Sequence, residues 1–267
     1  RAEALRVAAS ADIIVAAIGE GAEMSGEASS RTSIDIPQTQ RDLLKALLKT
    51  GRPVVLVLFT GRPLTIKWES ENVPTILNVW FGGSEAGYAI ADVLFGDVNP
   101  SGKLTTTFPQ NVGQVPIYYA HKNTGRPLSG PYMDVSNEPV YPFGYGLSYT
   151  TFSYSDIELN KTEMKQTDSL KVSVTVTNTG KVAGEEVVQL YLRDVVGSVT
   201  RPMKELKGFK KIKLEAGASQ KVQFSLSVTD LSFYNYDLKF GAETGEFQIF
   251  IGGNSRDNKM ATFKLVE

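Results

Sequence analysis

Acid–base or nucleophilic chemistry in this 267-residue chain has to come mainly from carboxylates, because there is one histidine and no cysteine. Glu20, Glu23 and Glu27 lie close together in Gly19-Glu20-Gly21-Ala22-Glu23-Met24-Ser25-Gly26-Glu27-Ala28-Ser29-Ser30-Arg31. A carboxylic acid in such a loop can protonate a leaving oxygen if burial raises its pKa toward neutral. The competing reading is a set of solvated loop charges, with Glu27 paired to Arg31. Other chemistries find less support. Gly82-Gly83-Ser84-Glu85 lacks the Gly-x-Ser-x-Gly elbow of a serine hydrolase, and His121 would be its only base. The same turn could sit at an anion-binding helix N-terminus, but no Walker lysine accompanies it. His121, in a polar loop, reads as a surface residue. Trp80 and Phe81 could stack on a sugar ring or belong to a core.

These candidates need elements to hold them. Ala2–Ser10 reads as the end of a helix and Ile13–Ile18 as a strand buried on both faces. Leu43, Leu44, Leu47 and Leu48 recur at helical spacing in Gln38–Thr50, with Pro37 before and Gly51 after. Val54–Phe59 and Ile76–Val79 are two further strands. Ser84 can cap a helix over Glu85–Phe95, and Leu104–Phe108 could be a last strand. The order implies a mostly parallel sheet with helices on its faces. It places three glycine-bearing loops, Gly19–Ile36, Thr60–Pro63 and Trp80–Ser84, at the carboxyl edge where such sheets bind ligands. Most connections of this type have 2–6 residues, so the long Gly19–Ile36 loop asks for a reason.

Residues 109–150 form a connector rich in Pro, Gly and Tyr. After it the pattern changes to period two. Leu170–Val176 alternates apolar and polar, Asn178-Thr179-Gly180 marks a turn, and Val187–Leu192, Leu206–Leu214, Lys221–Val228, Glu246–Ile251 and Ala261–Val266 follow as strands. This predicts an antiparallel β-sandwich over 151–267, of immunoglobulin-like or fibronectin type III size. The fold expected overall is a partial α/β sandwich over 1–108, the connector, and an all-β domain. Arg1 opens into a helical pattern with no cap and no preceding strand, so the chain reads as a piece of a longer protein. The open edge of such a partial sheet could pair with a second copy, making a homodimer an expected possibility.

Composition narrows the partners. Lys plus Arg is 28 and Asp plus Glu is 29, so there is no basic excess for nucleic acid or an anionic membrane. The lack of cysteine excludes disulfides and thiolate metal sites, and one histidine excludes a His-rich one. No apolar run approaches the roughly 18 residues of a membrane span, and no signal peptide is visible. No cofactor or metal is implied.

The run Gly26-Glu27-Ala28-Ser29-Ser30-Arg31 through Ile36-Pro37 resembles the acid/base loop of family 3 glycoside hydrolases, in particular the bacterial periplasmic β-glucosidase branch. Thr60-Gly61-Arg62-Pro63 is similar to the family's Gly-Arg-Pro turn. Trp80-Phe81-Gly82-Gly83-Ser84-Glu85-Ala86-Gly87 and Ala91–Leu104 are similar to its two long glycine-punctuated motifs. Asn123-Thr124-Gly125-Arg126-Pro127 and Tyr141–Tyr149 continue the match to the end of the connector. The resemblance implies a retaining β-glucosidase that removes terminal β-D-glucosyl residues from oligosaccharides or glycosides. It implies Glu27 as general acid/base, and an N-terminal barrel, absent here, that carries the nucleophilic Asp. Ser25 and Arg126 are the substrate-binding candidates; for Arg126, a loop that merely covers the second domain is an equal reading. A periplasmic or secreted location goes with the resemblance. A β-xylosidase of the same family, or a non-catalytic carbohydrate-binding or scaffold module, are the alternatives.

Overall fold

The computed structural model describes residues 1–123 and 132–267. They fall into two compact units: Arg1–Phe95 with Thr107–Ile117 and Met133–Tyr141, and Gly96–Thr106 with the described residues of Tyr118–Tyr132 and Pro142–Glu267.

The first unit runs α1 (Ala2–Ala9), β1 (Ile14–Gly19), α2 (Gln38–Leu48), β2 (Val54–Phe59), α3 (Lys67–Asn72), β3 (Thr75–Asn78) and α4 (Ala86–Phe95). The three strands form a parallel sheet in the order β1-β2-β3, with Ala16 beside Leu56 and Leu56 beside Ile76. β2 is central, so its side chains meet neighbours on both faces and Val54, Leu56, Val57 and Leu58 are buried. β1 departs from expectation. Ile14 and Ala16 are buried, whereas Val15 is 54% exposed. α2 packs on one face of β1, and Val15 points to the opposite face, so the strand alternates instead of burying both faces. In α2, Leu44, Ala46 and Leu47 make the inward stripe. α4 buries no residue, and Tyr88 and Phe95 lie exposed on it.

Leu104–Phe108 is not a strand. Phe108 makes a single two-bond bridge with the chain at Tyr141, its N–H donating to the Tyr141 carbonyl at 2.9 Å and its carbonyl accepting from Val140 N–H at 2.9 Å. Its ring is buried, 5.8 Å from Trp80 and 6.3 Å from Tyr141. Side-chain burial rather than a ladder accounts for the apolar pattern. α3 went unread because Lys-Trp-Glu-Ser-Glu-Asn has no apolar stripe.

The second unit contains β4 (Phe152–Tyr154), β5 (Glu158–Leu159), β6 (Glu163–Lys165), β7 (Ser169–Asn178), β8 (Gly184–Asp194), β9 (Glu205–Leu214), β10 (Ser219–Ser227), a one-turn helix α5 (Val228–Leu231), β11 (Phe233–Tyr234), β12 (Phe240–Gly241), β13 (Gly245–Gly252) and β14 (Asn258–Val266). One sheet has the order β10-β7-β4, with β5 also on β7; the other has the order β6-β14-β13-β8-β9. The inward residues of both, among them Leu170, Val172, Leu190, Ile249 and Phe263, form one core. Phe247 and Phe263, directly opposite on β13 and β14, stack at 5.4 Å. The pairing is antiparallel except between β14 and β6, which run parallel. α5 is set by a capping box between Ser227 and Asp230.

Candidate active site

β1 and β2 end side by side, and the chain beyond each end turns over the carboxyl edge of the sheet. Glu20 is the first residue past β1 and prolongs the pairing, its N–H donating to the Phe59 carbonyl at 2.8 Å. That register buries the Glu20 side chain completely. Three donors and one further cation surround it. Arg31 Nη1 donates to Oε1 at 2.8 Å, while Thr60 Oγ1 and Gly61 N–H each reach Oε2 at 3.0 Å. Arg62 Nε lies 2.9 Å from Oε1 as an ion pair, its N–H not aligned for a hydrogen bond. Burial works against the charged form of Glu20. The Arg31, Gly61 and Thr60 hydrogen bonds and the Arg62 charge outweigh it, holding the carboxyl below its ordinary value.

The far end of the loop is pinned as well. The Ile34 carbonyl accepts from Thr65 N–H at 2.9 Å, the Thr65 hydroxyl donates to Asp35, and Ile36 is buried. On α2, Gln40 clasps Gly19, accepting from its N–H at 2.7 Å and donating to its carbonyl at 3.0 Å. Arg41 reaches fully buried Glu69 on α3 with Nε at 2.7 Å and Nη2 at 3.3 Å.

Between these anchors the chain forms a short 3-10 turn over Ala22–Met24 and then a tight turn in which the Gly26 carbonyl accepts from Ser29 N–H at 3.2 Å. Glu27 is at its tip. Gly26 has φ +137° and Ala28 φ +60°, a left-handed setting that costs a non-glycine residue energy. Glu27 is exposed and has no hydrogen-bond or ion-pair partner among the described residues. The suggested Glu27–Arg31 pair is not formed, because Arg31 is used by Glu20. Ser25 is half-buried and packs where Gly61 has no side chain. Glu23 is exposed. Arg126 lies outside the described residues. The residues that sequence reasoning missed are Arg62, Thr60 and Gln40; the Gly61-Arg62-Pro63 turn was visible, but nothing in it pointed back to Glu20.

A free carboxylate on a braced loop at the carboxyl edge of a parallel sheet, in a chain that continues into a fibronectin-like β-sandwich, defines the class to which this protein is comparable. Residues 1–149 match the model for the glycosyl hydrolase family 3 C-terminal domain, and residues 186–255 match that for a fibronectin type III-like domain. The chain belongs to glycosyl hydrolase family 3, of which it represents the C-terminal portion. It is 51% identical to the periplasmic β-glucosidase of Salmonella typhimurium over 99% of its own length and 36% of that protein. It is 45% identical to a β-xylosidase of Formosa agariphila over 98% of its length and 36% of that protein. Among solved structures, a β-glucosidase from Listeria innocua in complex with glucose superposes with a TM-score of 0.95 at 41% identity, covering all of this chain and 38% of that one. The chain thus spans little more than a third of these relatives.

Proposed function

We propose that this chain supplies the general acid/base of a retaining β-glucosidase, with Glu27 in that role. The observation that carries the reading is the state of Glu27: exposed, without a partner among the described residues, and presented at the tip of a braced turn, while the buried loop carboxylate, Glu20, is fully committed to donors. In the first step Glu27 gives its proton to the glycosidic oxygen as the C–O bond breaks and a carboxylate nucleophile bonds to the anomeric carbon. In the second, the Glu27 carboxylate takes a proton from water as that water displaces the nucleophile. The nucleophile is the Asp of the N-terminal barrel that the family resemblance implies, so the activity is that of the longer polypeptide. Ser25, two residues before Glu27, is the proposed hydroxyl contact to the sugar, and Arg126 a proposed second one. A periplasmic location follows the name of the Salmonella relative.

The test is Glu27→Ala in the full-length polypeptide. Hydrolysis of β-linked disaccharides, whose leaving group needs a proton, falls severely. An activated aryl β-glucoside still glycosylates the enzyme and then stalls, and azide restores turnover to give the β-glycosyl azide. The basic limb of the pH–rate profile disappears. Wild-type behaviour on disaccharides would refute the assignment. The 45% identity to a β-xylosidase supports a second specificity. Comparing kcat/KM for aryl β-glucoside and aryl β-xyloside decides between them.

A further inference from the structure

We infer that Arg62 is a positioning residue for Glu27, and that buried Glu20 is the anchor that holds Arg62 in place; the inference rests on the acid/base reading of Glu27. Arg62 Nη2 donates to the Met24 carbonyl at 2.6 Å and to the Ser29 carbonyl at 3.1 Å. These two carbonyls lie three residues before Glu27 and two after it. One planar group thus closes the neck of the segment 24–29, whose tip is Glu27. The backbone of that segment contributes little of its own: Met24 N–H bonds back to Gly21 at 3.0 Å and Ser29 N–H to Gly26 at 3.2 Å. Ala28 sits in the left-handed region, so the segment would relax if its neck opened.

The anchor explains why Arg62 stays. Its Nε is 2.9 Å from Glu20 Oε1, which also accepts from Arg31, and Arg31 Nη2 donates to the Asp35 carbonyl at 3.0 Å near the end of the loop. A single buried carboxylate therefore holds two arginines that grip the loop at three carbonyls: Met24, Ser29 and Asp35. Its other oxygen is occupied by Thr60 and Gly61. Glu20 offers substrate no free oxygen and is kept ionised, so its role is to hold rather than to transfer a proton. The guanidinium fork matters here. Nη2 donates to both carbonyls while Nε stays in ion-pair contact with Glu20, two separate contacts that a lysine ammonium cannot make at the same reach. Proton transfer depends on placement, and a misplacement of about 1 Å can cost about 10²-fold.

The experiment uses the full-length polypeptide with Arg62→Ala, Arg62→Lys, Glu20→Gln and, as reference, Glu27→Ala. Each is assayed on a β-linked disaccharide and on dinitrophenyl β-glucoside, with and without azide, and amide hydrogen exchange is followed across 24–29. Arg62→Ala is expected to lose about 10²-fold in kcat on the disaccharide. Its KM and its glycosylation by the activated glucoside stay near wild type, azide speeds its turnover, and exchange in 24–29 quickens. Arg62→Lys recovers little, and Glu20→Gln shows the same pattern more weakly. Equal losses on both substrates, or none, overturn the inference. If Arg62→Ala does not fold, Glu20→Gln decides by the same criteria. If Glu27→Ala shows the leaving-group pattern and neither clamp variant does, only the positioning role falls. If Glu27→Ala behaves as wild type, the acid/base reading and the positioning role fall together.

Discussion

The Ser25 hydroxyl occupies the space that a Cβ on Gly61 would need. The same glycine gives its N–H to Glu20, so side-chain absence and backbone donor serve the loop at one point. Gly61→Ala is expected to push Ser25 and the turn behind it outward and to destabilise the first unit by about 1–3 kcal/mol, as overpacking does. Urea unfolding measures the loss. An unchanged midpoint would mean that Ser25 moves aside freely.

The depressed carboxyl of Glu20 makes the clamp pH-dependent. Its folded pKa lies below the unfolded value, near 4.5, so its stabilisation is complete above that value. It is lost as the pH falls from there through the lower folded pKa. Unfolding of wild type and Glu20→Gln between pH 7 and pH 3 isolates this contribution, because other carboxylates titrate equally in both. The gap between the two proteins is expected to shrink in acid. A gap that grows in acid contradicts the sign.

Glu69 is wholly buried on α3 and its charge is met by Arg41. Arg41→Leu leaves that carboxylate uncompensated and is expected to cost about 3–5 kcal/mol. Adding Glu69→Leu should recover much of the loss, since an apolar pair replaces a buried ion pair with little net change. A double-mutant cycle by denaturant unfolding provides the check. A double variant no more stable than Arg41→Leu would place the importance of this contact elsewhere.

Asn178, at the end of β7, is buried with all four hydrogen-bonding positions filled. Oδ1 accepts from the Thr150 hydroxyl at 2.6 Å and Gly180 N–H at 3.1 Å; Nδ2 donates to the carbonyls of Val182 at 2.8 Å and Leu214 at 3.1 Å. Asn178→Leu strands these partners, of which Thr150 and Leu214 are buried. A loss of at least about 3 kcal/mol in the second unit is expected, as several orphaned groups each cost about 1–3 kcal/mol. Thermal unfolding followed by near-ultraviolet circular dichroism reads it.

One carboxylate cannot serve both as nucleophile and as acid/base in a double displacement. The 267-residue chain by itself is therefore expected to show no hydrolysis of aryl β-glucosides above background. Turnover that survives purification and vanishes in Glu27→Ala would show that a nucleophile resides in this chain.

Much of the architecture is legible in one dimension because the determinants are local. Val54–Phe59 is apolar at every position, and β2 occupies those residues at the centre of the sheet. Leu170–Val176 alternates, and β7 extends two residues beyond it at its C-terminal end. The apolar residues of Gln38–Thr50 give α2, which stops at Leu48. Where sequence reading failed, the deciding partner was distant. β1 reads as doubly buried, yet only the face that carries Ile14 and Ala16 is covered, and Val15 on the other is exposed. The parallel pairing of β6 with β14 joins segments about 100 residues apart, and no local pattern encodes strand direction.

The site divides in the same way. Sequence alone determined that carboxylates are the available acids, that three glutamates share an unusually long loop at the carboxyl edge of a parallel sheet, and that the loop resembles an acid/base loop. Residue type and spacing alone do not separate Glu20 from Glu27, both glutamates beside glycines in one polar stretch; only the family resemblance singled out Glu27. Tertiary structure gives the two carboxylates different surroundings. The register of β1 on β2 drives Glu20 inward, and Arg31 and Arg62, 11 and 42 residues further along, converge on it. Glu27, between a glycine and an alanine forced to positive φ, stays outside and unpaired among the described residues. A carboxylate's role depends on which charges and dipoles surround it in space, and that arrangement exists only once the strands have paired.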